Sequence, residues 1–255
     1  MTVVTSKKNK SKEYFYVIIT LLFIYLILFE FILPINSFLP KPSLLKESFS
    51  SLWSQYNLLQ HLALTTTLIY ASLIISYLAI EIFSGIFVSL FVNFPGIILL
   101  SRIFKFFSPF VMTIILYFWL HNSILSEFIF STVISLIFML SILAKEISTI
   151  PHYYVESALC LQLNKKELYK KVFWKYSQVE IFSQLRSLHY YLWTFVLLYE
   201  YIGKINGIGA VFYLIVEYRD LSALILIGLI VFILIWIGEG IIIIINKRLI
   251  FWKKE

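Results

Sequence analysis

Two long apolar stretches limit what this chain can fold into more than any other feature of its sequence. Residues 64–92 carry one charged side chain, Glu81, and residues 221–245 also carry one, Glu239. Apolar runs longer than about 18 residues can cross the hydrocarbon core of a bilayer as helices. The whole sequence is 60% hydrophobic and 14% charged, whereas soluble domains have about 25% charged residues. These values exclude a soluble enzyme, a disordered chain and a disulfide scaffold, and they predict an integral membrane protein.

Six apolar runs predict an all-α fold with about six transmembrane helices in a single domain, 1–255. The runs cover residues 14–33, 64–92, 106–120, 124–144, 179–201 and 221–245, so the core spans lie within 64–245. The first run follows a basic tail, residues 1–13. At about 20 residues this run is too long for a cleavable signal peptide, so we expect it to remain as the first span. Residues 44–63 are more polar and predict an amphipathic stretch near the outer surface.

The distribution of basic residues predicts the orientation. With six spans and a cytoplasmic N-terminus, sixteen of the 21 Lys and Arg residues fall in cytoplasmic segments. The outer segments hold Lys41, Lys46, Lys204 and Arg219, and Arg186 lies within a span. Because cytoplasmic loops of membrane proteins are enriched in Lys and Arg, this bias places both termini in the cytoplasm. The net charge of +7 is therefore a topology signal, and we expect no nucleic-acid partner.

Residues 145–178 form the one long polar segment inside the chain, and the topology places them in the cytoplasm. Apolar residues recur every three to five positions between Tyr153 and Val172, and Pro151 stands where a helix would begin. The pattern predicts a short amphipathic helix, a turn near Leu163-Asn164 and a second helix. Two interpretations fit this segment equally well. It docks into a groove on a soluble partner, or it is a connector that contacts only lipid headgroups.

The run Glu156-Ser157-Ala158-Leu159-Cys160-Leu161-Gln162 resembles the "EAA" loop of ABC-importer permeases. Glu156 and Ala158 match the pattern, Ser157 is a conservative change, Gln162 replaces the glycine, and Lys175 replaces the terminal proline. Other landmarks resemble those of the nitrate/sulfonate/taurine-type permeases at similar spacing. They are Leu39-Pro40-Lys41-Pro42-Ser43, Gln60-His61-Leu62-Ala63, Glu200 followed by Gly203 and Gly207-Ile208-Gly209, and Lys247-Arg248-Leu249.

The resemblance implies a MetI-like permease fold in a bacterial cytoplasmic (inner) membrane. It further implies a homodimer of permeases, two cytoplasmic ABC ATPase subunits and an extracytoplasmic solute-binding protein. The solute would be small and anionic, such as nitrate, a sulfonate or taurine. The chain has no G-x-x-x-x-G-K-[ST] run, so ATP and Mg²⁺ are expected on the partner ATPase, with no cofactor in this chain.

An alternative function is that of a permease-like membrane scaffold or assembly protein that does not transport. The departures at Gln162 and Lys175 and the low glycine content motivate it.

The resemblance implies that the ATPase-coupling loop contains Glu156, Ser157, Ala158 and Gln162. Glu156 would anchor the loop by charge-assisted hydrogen bonds, or it would stabilise the positive end of a helix dipole. Gln162 removes the freedom of the family glycine to form a turn, unless Asn164 adopts the unusual backbone geometry. Lys175 in place of proline removes a helix stop.

Ionisable residues at membrane depth are candidates for a translocation path or gate, because burying a charge in lipid costs several kcal/mol. They are Glu81, Arg186, His189, Glu200 and Glu239. Arg186 and His189 are three residues apart and would share a helix face, so Arg186 either attracts an anionic solute or forms a structural contact. Glu200 fits a gate or packing contact better than a ligand site. Gly238 and Gly240, on either side of Glu239, predict a close helix approach.

No metal-ligand spacing and no nucleophile–base motif stands out, so we do not expect an enzyme.

Overall fold

The computed structural model describes residues 7–33, 39–94, 96, 108–120, 123–204 and 206–249. Helices, joined by short turns, account for the secondary structure of these residues. They are α1 (Lys7–Ile27), α2 (Pro42–Ser54), α3 (Leu58–Asn93), α4 (Pro109–Trp119), α5 (Ile124–Ile147), α6 (His152–Cys160), α7 (Lys165–Glu167), α8 (Trp174–Gly203), α9 (Gly207–Glu217) and α10 (Leu221–Leu249). One π-helical segment, Leu28–Ile32, extends α1, and another, Leu168–Phe173, joins α7 to α8.

The predicted all-α membrane class is confirmed. Helices α3, α5 and α10 are each long and apolar enough to cross a bilayer, and the helix ending in α8 meets the same test together with α9 as a bent pair. The predicted runs 14–33 and 106–120 correspond to shorter apolar helices, Ile19–Ile32 and Phe110–Trp119. The described residues thus contain three spanning helices, or four with the bent pair, where six spans were predicted. Residues 97–107, including the start of the third run, lie outside the described part of the chain.

The polar stretch predicted for residues 44–63 is divided between two helices. Helix α2 begins at Pro42, where proline is favoured because the first helical amide needs no partner, and it ends at Ser54. Helix α3 begins at Leu58, six residues before the predicted start of the second span.

The described chain forms two compact units. The first unit contains residues up to 57 together with residues 215–229. In it, the end of α1 is tied to the chain that enters α2. The Tyr25 hydroxyl donates to the Pro40 carbonyl at 2.6 Å, and the Ser43 amide donates to a Glu30 carboxylate oxygen at 3.2 Å.

The second unit contains residues 58–214 and 230–255, and its frame is the antiparallel pair of α3 and α8. Four contacts between polar side chains set the register of the pair. From the predicted outer end inward they join Thr65 to Glu200, Tyr70 to His189, Tyr77 to Gln178, and Glu81 to Trp174. Residue numbers increase along α3 and decrease along α8 in the same direction. The depth of a residue on one helix therefore follows from its contact on the other.

Serine side chains allow α5 to approach α3 closely. Ser72 and Ser76 on α3 and Ser131 and Ser135 on α5 are fully buried, and the Ser76 hydroxyl donates to the Thr132 carbonyl at 3.1 Å. Lipid is as apolar as the helix surfaces, so helices in a membrane associate through close packing, for which small residues are favoured. The chain has only 8 glycines, and serine serves this purpose at the interface of α3 and α5.

Gly238 lies where α10 approaches α3 and α8. A Cβ atom at Gly238 would overlap the Tyr70 hydroxyl and lie 2.8 Å from the His189 ring, whereas one at Gly240 would meet nothing within 4 Å. Gly238 therefore makes room for the Tyr70 and His189 side chains, whereas the side of Gly240 faces open space.

We expect Gly238→Ala to destabilise the protein, because the added methyl group displaces Tyr70 and His189. Overpacking of this kind costs about 1–3 kcal/mol. The matched control Gly240→Ala should keep or raise stability, since alanine is favoured over glycine in a helix by about 0.5–1 kcal/mol. Thermal unfolding of the purified chain in detergent measures both changes. Equal unfolding temperatures for the two variants would contradict the packing assigned to Gly238.

Candidate coupling segment and translocation path

The predicted cytoplasmic segment folds as a helix, a tight turn and a second helix. Helix α6 ends at Cys160, and two backbone hydrogen bonds close the turn after it. The Gln162 amide donates to the Leu159 carbonyl at 2.9 Å, and the Leu163 amide donates to the Ala158 carbonyl at 3.2 Å. This pair of bonds forms a Schellman motif, whose turn residue adopts a left-handed conformation and is usually glycine.

Gln162 itself occupies the left-handed position, with φ of 54°. Gln162 therefore keeps the turn that its side chain was expected to prevent, and Asn164 does not supply the left-handed geometry. Asn164 has φ of −72° and caps the next helix: its side chain accepts from the Glu167 amide, and the Glu167 side chain accepts from the Asn164 amide. Glutamine thus forms the turn for which the family has glycine. The conformation costs energy, because a Cβ atom is crowded by the backbone in left-handed geometry.

Replacing Gln162 by glycine should stabilise the protein by about 0.5–1 kcal/mol. Left-handed geometry costs a residue with a side chain about 1–2 kcal/mol, and the greater freedom of glycine in the unfolded chain offsets about 0.4–1 kcal/mol of this gain. The unfolding temperature in detergent is the measurement. Gln162→Ala, which keeps the Cβ atom, is the control and should not stabilise. An equal gain in both variants would show that the turn conformation is not responsible.

Three other predicted loop residues lie on α6. Ala158 is buried, whereas Glu156 and Ser157 are exposed, and the Ser157 hydroxyl donates to the Tyr153 carbonyl. The first turn of α6 contains no acidic residue, so Glu156 lies beyond the helix-dipole position, and that interpretation is wrong. Tyr153, Leu159 and Leu161 are also exposed, with Leu161 at 74%. An apolar surface therefore surrounds Glu156.

The second helix of the segment continues into the membrane without a break. The π-helical segment Leu168–Phe173 passes directly into α8 at Trp174, and Lys175, where the family has proline, lies inside the continuous helix. The predicted loss of the helix stop is therefore confirmed.

Glu81 joins this continuous helix to α3. One of its carboxylate oxygens accepts hydrogen bonds from Trp174 Nε1 at 3.0 Å, Gln178 Nε2 at 3.2 Å and the Tyr77 hydroxyl at 3.1 Å. Trp174 is fully buried and the Tyr77 ring packs on Phe182. The sequence predicts a path or gate residue at Glu81, whereas the structure places its side chain in a packed contact beside the coupling segment. Trp174 and Gln178 were missed, because neutral donors give no charge signal.

Arg186 and Glu239 form an ion pair between α8 and α10. Arg186 Nε lies 3.1 Å from a Glu239 carboxylate oxygen, and the Tyr190 hydroxyl donates to the other oxygen at 3.0 Å. The Arg186 side chain remains 51% exposed, whereas that of Glu239 is 19% exposed. Both charged residues were predicted from the sequence. The partner of Glu239 was not predicted, and the structure shows that it is Arg186.

An exposed polar stripe runs along α8 on both sides of this ion pair. It consists of Ser183, Arg186, Ser187, Tyr190 and Thr194, which recur at helical spacing and are all exposed. The face of α8 opposite the stripe is buried and mostly apolar, as at Leu188, Leu192 and Val196. By contrast, α10 exposes apolar side chains such as Phe232, Ile233 and Trp236. Within the second unit, α8 thus presents a polar surface at membrane depth where α10 presents an apolar one.

His189 does not share this exposed surface with Arg186. It is fully buried, its Nε2 accepts a hydrogen bond from Trp193 Nε1 at 2.9 Å, and the Tyr70 hydroxyl lies 3.3 Å from the same nitrogen. Because Nε2 accepts, the ring is a neutral imidazole with its proton on Nδ1. The prediction that Arg186 and His189 act from one face is wrong, since His189 turns into the contact with α3 and Gly238.

Glu200 caps the start of α9. Its carboxylate accepts from the Thr65 hydroxyl at 2.5 Å and from the Gly209 amide at 2.7 Å, while the Ile208 amide donates to Thr65 Oγ1 at 2.9 Å. Gly207 has φ of 82°, and a Cβ atom there would overlap the Glu200 carboxylate. This geometry explains Gly207, and a Cβ atom at Gly209 would also overlap the Leu197 carbonyl; it favours the packing contact that was one of the two predicted roles.

A second buried acid, Glu127, lies against Glu200. Glu127 is 4% exposed, its carboxyl group contacts that of Glu200, and its Oε1 atom has no partner among the described residues. Glu127 was not among the predicted site residues, although it is an ionisable residue within the predicted fourth span, like the charges that were predicted.

Glu200→Leu should destabilise the protein by about 2 kcal/mol or more, since it leaves the buried Gly209 amide without an acceptor. Glu127→Leu, a change of the same size, should cost less, because Glu127 Oε1 has no partner and only the contact with the Glu200 carboxyl group is lost. Thermal unfolding in detergent again gives the comparison. If Glu127→Leu were the more damaging of the two, Glu200 would not be the capping residue.

Residues 82–251, two thirds of the chain, match the family described as binding-protein-dependent transport system inner membrane components. The chain belongs to this family of multi-pass membrane transport proteins. No curated protein and no solved structure matches it. The family match begins one residue after Glu81 and covers the coupling segment, the polar stripe and Glu239.

Proposed function

We propose that this chain is the permease subunit of an ATP-driven importer in a bacterial cytoplasmic membrane, and that it forms the path for a small anionic solute of the nitrate, sulfonate or taurine type. The polar stripe on α8 carries the proposal. Exposing Arg186 to lipid would cost at least about 2.5–3.5 kcal/mol, and polar residues at membrane depth normally face a water-filled cavity or a bundle interior. A hydrated path beside α8 satisfies this requirement.

The stripe supplies one wall of such a path, and a second copy of the chain supplies the other. A homodimer places two stripes opposite each other around a central axis, in keeping with the symmetry of most oligomers. An extracytoplasmic solute-binding protein delivers the solute to the outer mouth. The ion pair with Glu239 engages Arg186 through Nε, and the half-exposed guanidinium group still offers donors to a passing anion.

The coupling segment transmits the closure of a separate ATPase, which holds ATP and Mg²⁺. The exposed Tyr153 and Leu159 on α6 and Leu161 just after it suit insertion into a groove, with Glu156 accepting hydrogen bonds from the ATPase. From α6 the Tyr154 ring contacts Tyr176, with centroids 5.8 Å apart, at the start of α8. The Trp174–Glu81 contact then reaches α3, so movement of α6 displaces two helices.

Cysteine accessibility tests the path. In a Cys160→Ser background, Ser187→Cys and Thr194→Cys should react with a membrane-impermeant thiol reagent, because water reaches the stripe. Ile233→Cys and Trp236→Cys, on the exposed apolar face of α10, are the matched controls and should stay unmodified. Modification is read by mass shift in sealed vesicles that contain the full importer.

Protection of the stripe cysteines by solute distinguishes a transporter from a scaffold. Nitrate, taurine and an alkanesulfonate are added in turn, and one of them should slow the modification of Ser187→Cys and be taken up with ATP. A scaffold without transport activity predicts no protection and no uptake. Stripe cysteines as unreactive as the α10 controls would overturn the path itself.

A further inference from the structure

A lysine repeat in the second half of the coupling segment matches the local backbone geometry. Lys165, Lys170 and Lys175 are spaced five residues apart, and so are Lys166 and Lys171. In an α-helix, residues five apart point about 140° away from each other. The segment Leu168–Phe173, which contains Lys170 and Lys171, is π-helical, and its smaller rotation per residue brings lysines five apart closer to one face than an α-helix would. The π-helix therefore gathers the lysines on one side.

The burial pattern agrees with this alignment. All five lysines are exposed, whereas Leu168, Val172 and Phe173 are half-buried and Trp174 is fully buried. Between residues 165 and 175 the only acidic residue is Glu167, so five positive charges and one negative charge leave a net +4. Glu167 pairs with Lys171 at 2.8 Å, and this bond holds the pKa of Glu167 below its usual value, so the pair stays charged.

The register between α3 and α8 gives the level of these lysines. Trp174 contacts Glu81, and the helices run antiparallel, so residues 165–171 lie beside the last turns of α3. Along these turns α3 exposes Ile86, Leu90 and Val92, and the helix ends at Asn93. The apolar surface that can face lipid therefore ends at the level of the lysines. Phosphate groups of the inner leaflet lie at this boundary between apolar and polar surroundings.

We propose that the lysine face, formed by Lys165, Lys166, Lys170, Lys171 and Lys175, binds the headgroups of anionic phospholipids. Clusters of four or more basic residues at the cytoplasmic end of a spanning helix attract such lipids, and each charge adds to the attraction. The proposal depends on neither the solute nor the ATPase. The headgroup interpretation of the segment then applies to the lysine face in its second half. The first half, α6, remains free to dock into a protein partner.

Native mass spectrometry of the purified full-length chain tests the proposal, with phosphatidylglycerol and phosphatidylcholine of equal acyl composition as probes. The wild type should bind phosphatidylglycerol more tightly than phosphatidylcholine. The triple variant Lys166→Gln, Lys170→Gln, Lys171→Gln should lose about tenfold or more of the phosphatidylglycerol affinity and keep the phosphatidylcholine affinity. Arginine at the same three positions preserves the charge and should restore binding, which also shows that the fold tolerates the changes.

Lys41→Gln with Lys46→Gln removes charges from the first unit and serves as the control, with unchanged binding expected. Unchanged phosphatidylglycerol affinity in the triple glutamine variant would overturn the proposal. Equally effective competition by inorganic phosphate would also overturn it, because the face would then be a site for free anions. Loss of ATPase association in the triple variant, with lipid binding intact, would assign the face to the ATPase instead.

Discussion

The hydrogen-bonding requirement of polar groups in an apolar surrounding governs the second unit. Inside a bilayer no water is present to satisfy a side chain, so a buried polar group is stabilised when it pairs with a neighbouring helix. The contacts of Thr65, Tyr70, Tyr77 and Glu81 with α8 are the result. They fix the register of α3 against α8 in a way that apolar surfaces alone would not, since apolar contacts are nearly equivalent after a small slide.

This constraint also separates structural charges from exposed ones. Glu81, His189 and Glu200 are engaged by neutral donors or packed rings on adjacent helices, and they hold the frame together. Arg186, although paired with Glu239, remains half exposed in the polar stripe of α8. Polar residues of the first kind tolerate little change in geometry, whereas those of the second kind can exchange partners with water or a solute. The family membership of the chain is consistent with both kinds occurring in one unit.

Much of the fold could be predicted from composition and periodicity. The all-helical membrane class, the positions of α5 and α10 and the helix–turn–helix segment follow from apolar runs and turn residues. The left-handed residue was misplaced because asparagine is the better intrinsic candidate, whereas the two turn hydrogen bonds put that conformation at Gln162. Partners on other helices could not be predicted, since those of Glu239 and Glu200 include residues about 50 and 135 positions away. Glu127 could have been found from its place in an apolar run.

The unbroken helix from Lys165 to Gly203 has a mechanical consequence. Its 39 residues form a rod about 58 Å long at about 1.5 Å per residue, which is nearly twice the thickness of the hydrocarbon core. A rod of that length converts rotation into displacement: a tilt of about 10° about its midpoint moves each end by about 5 Å. A proline at position 175 would place a joint in this rod and absorb such a rotation near the membrane surface. With lysine at this position the helix is continuous, so a rotation at one end of the helix also moves the other end.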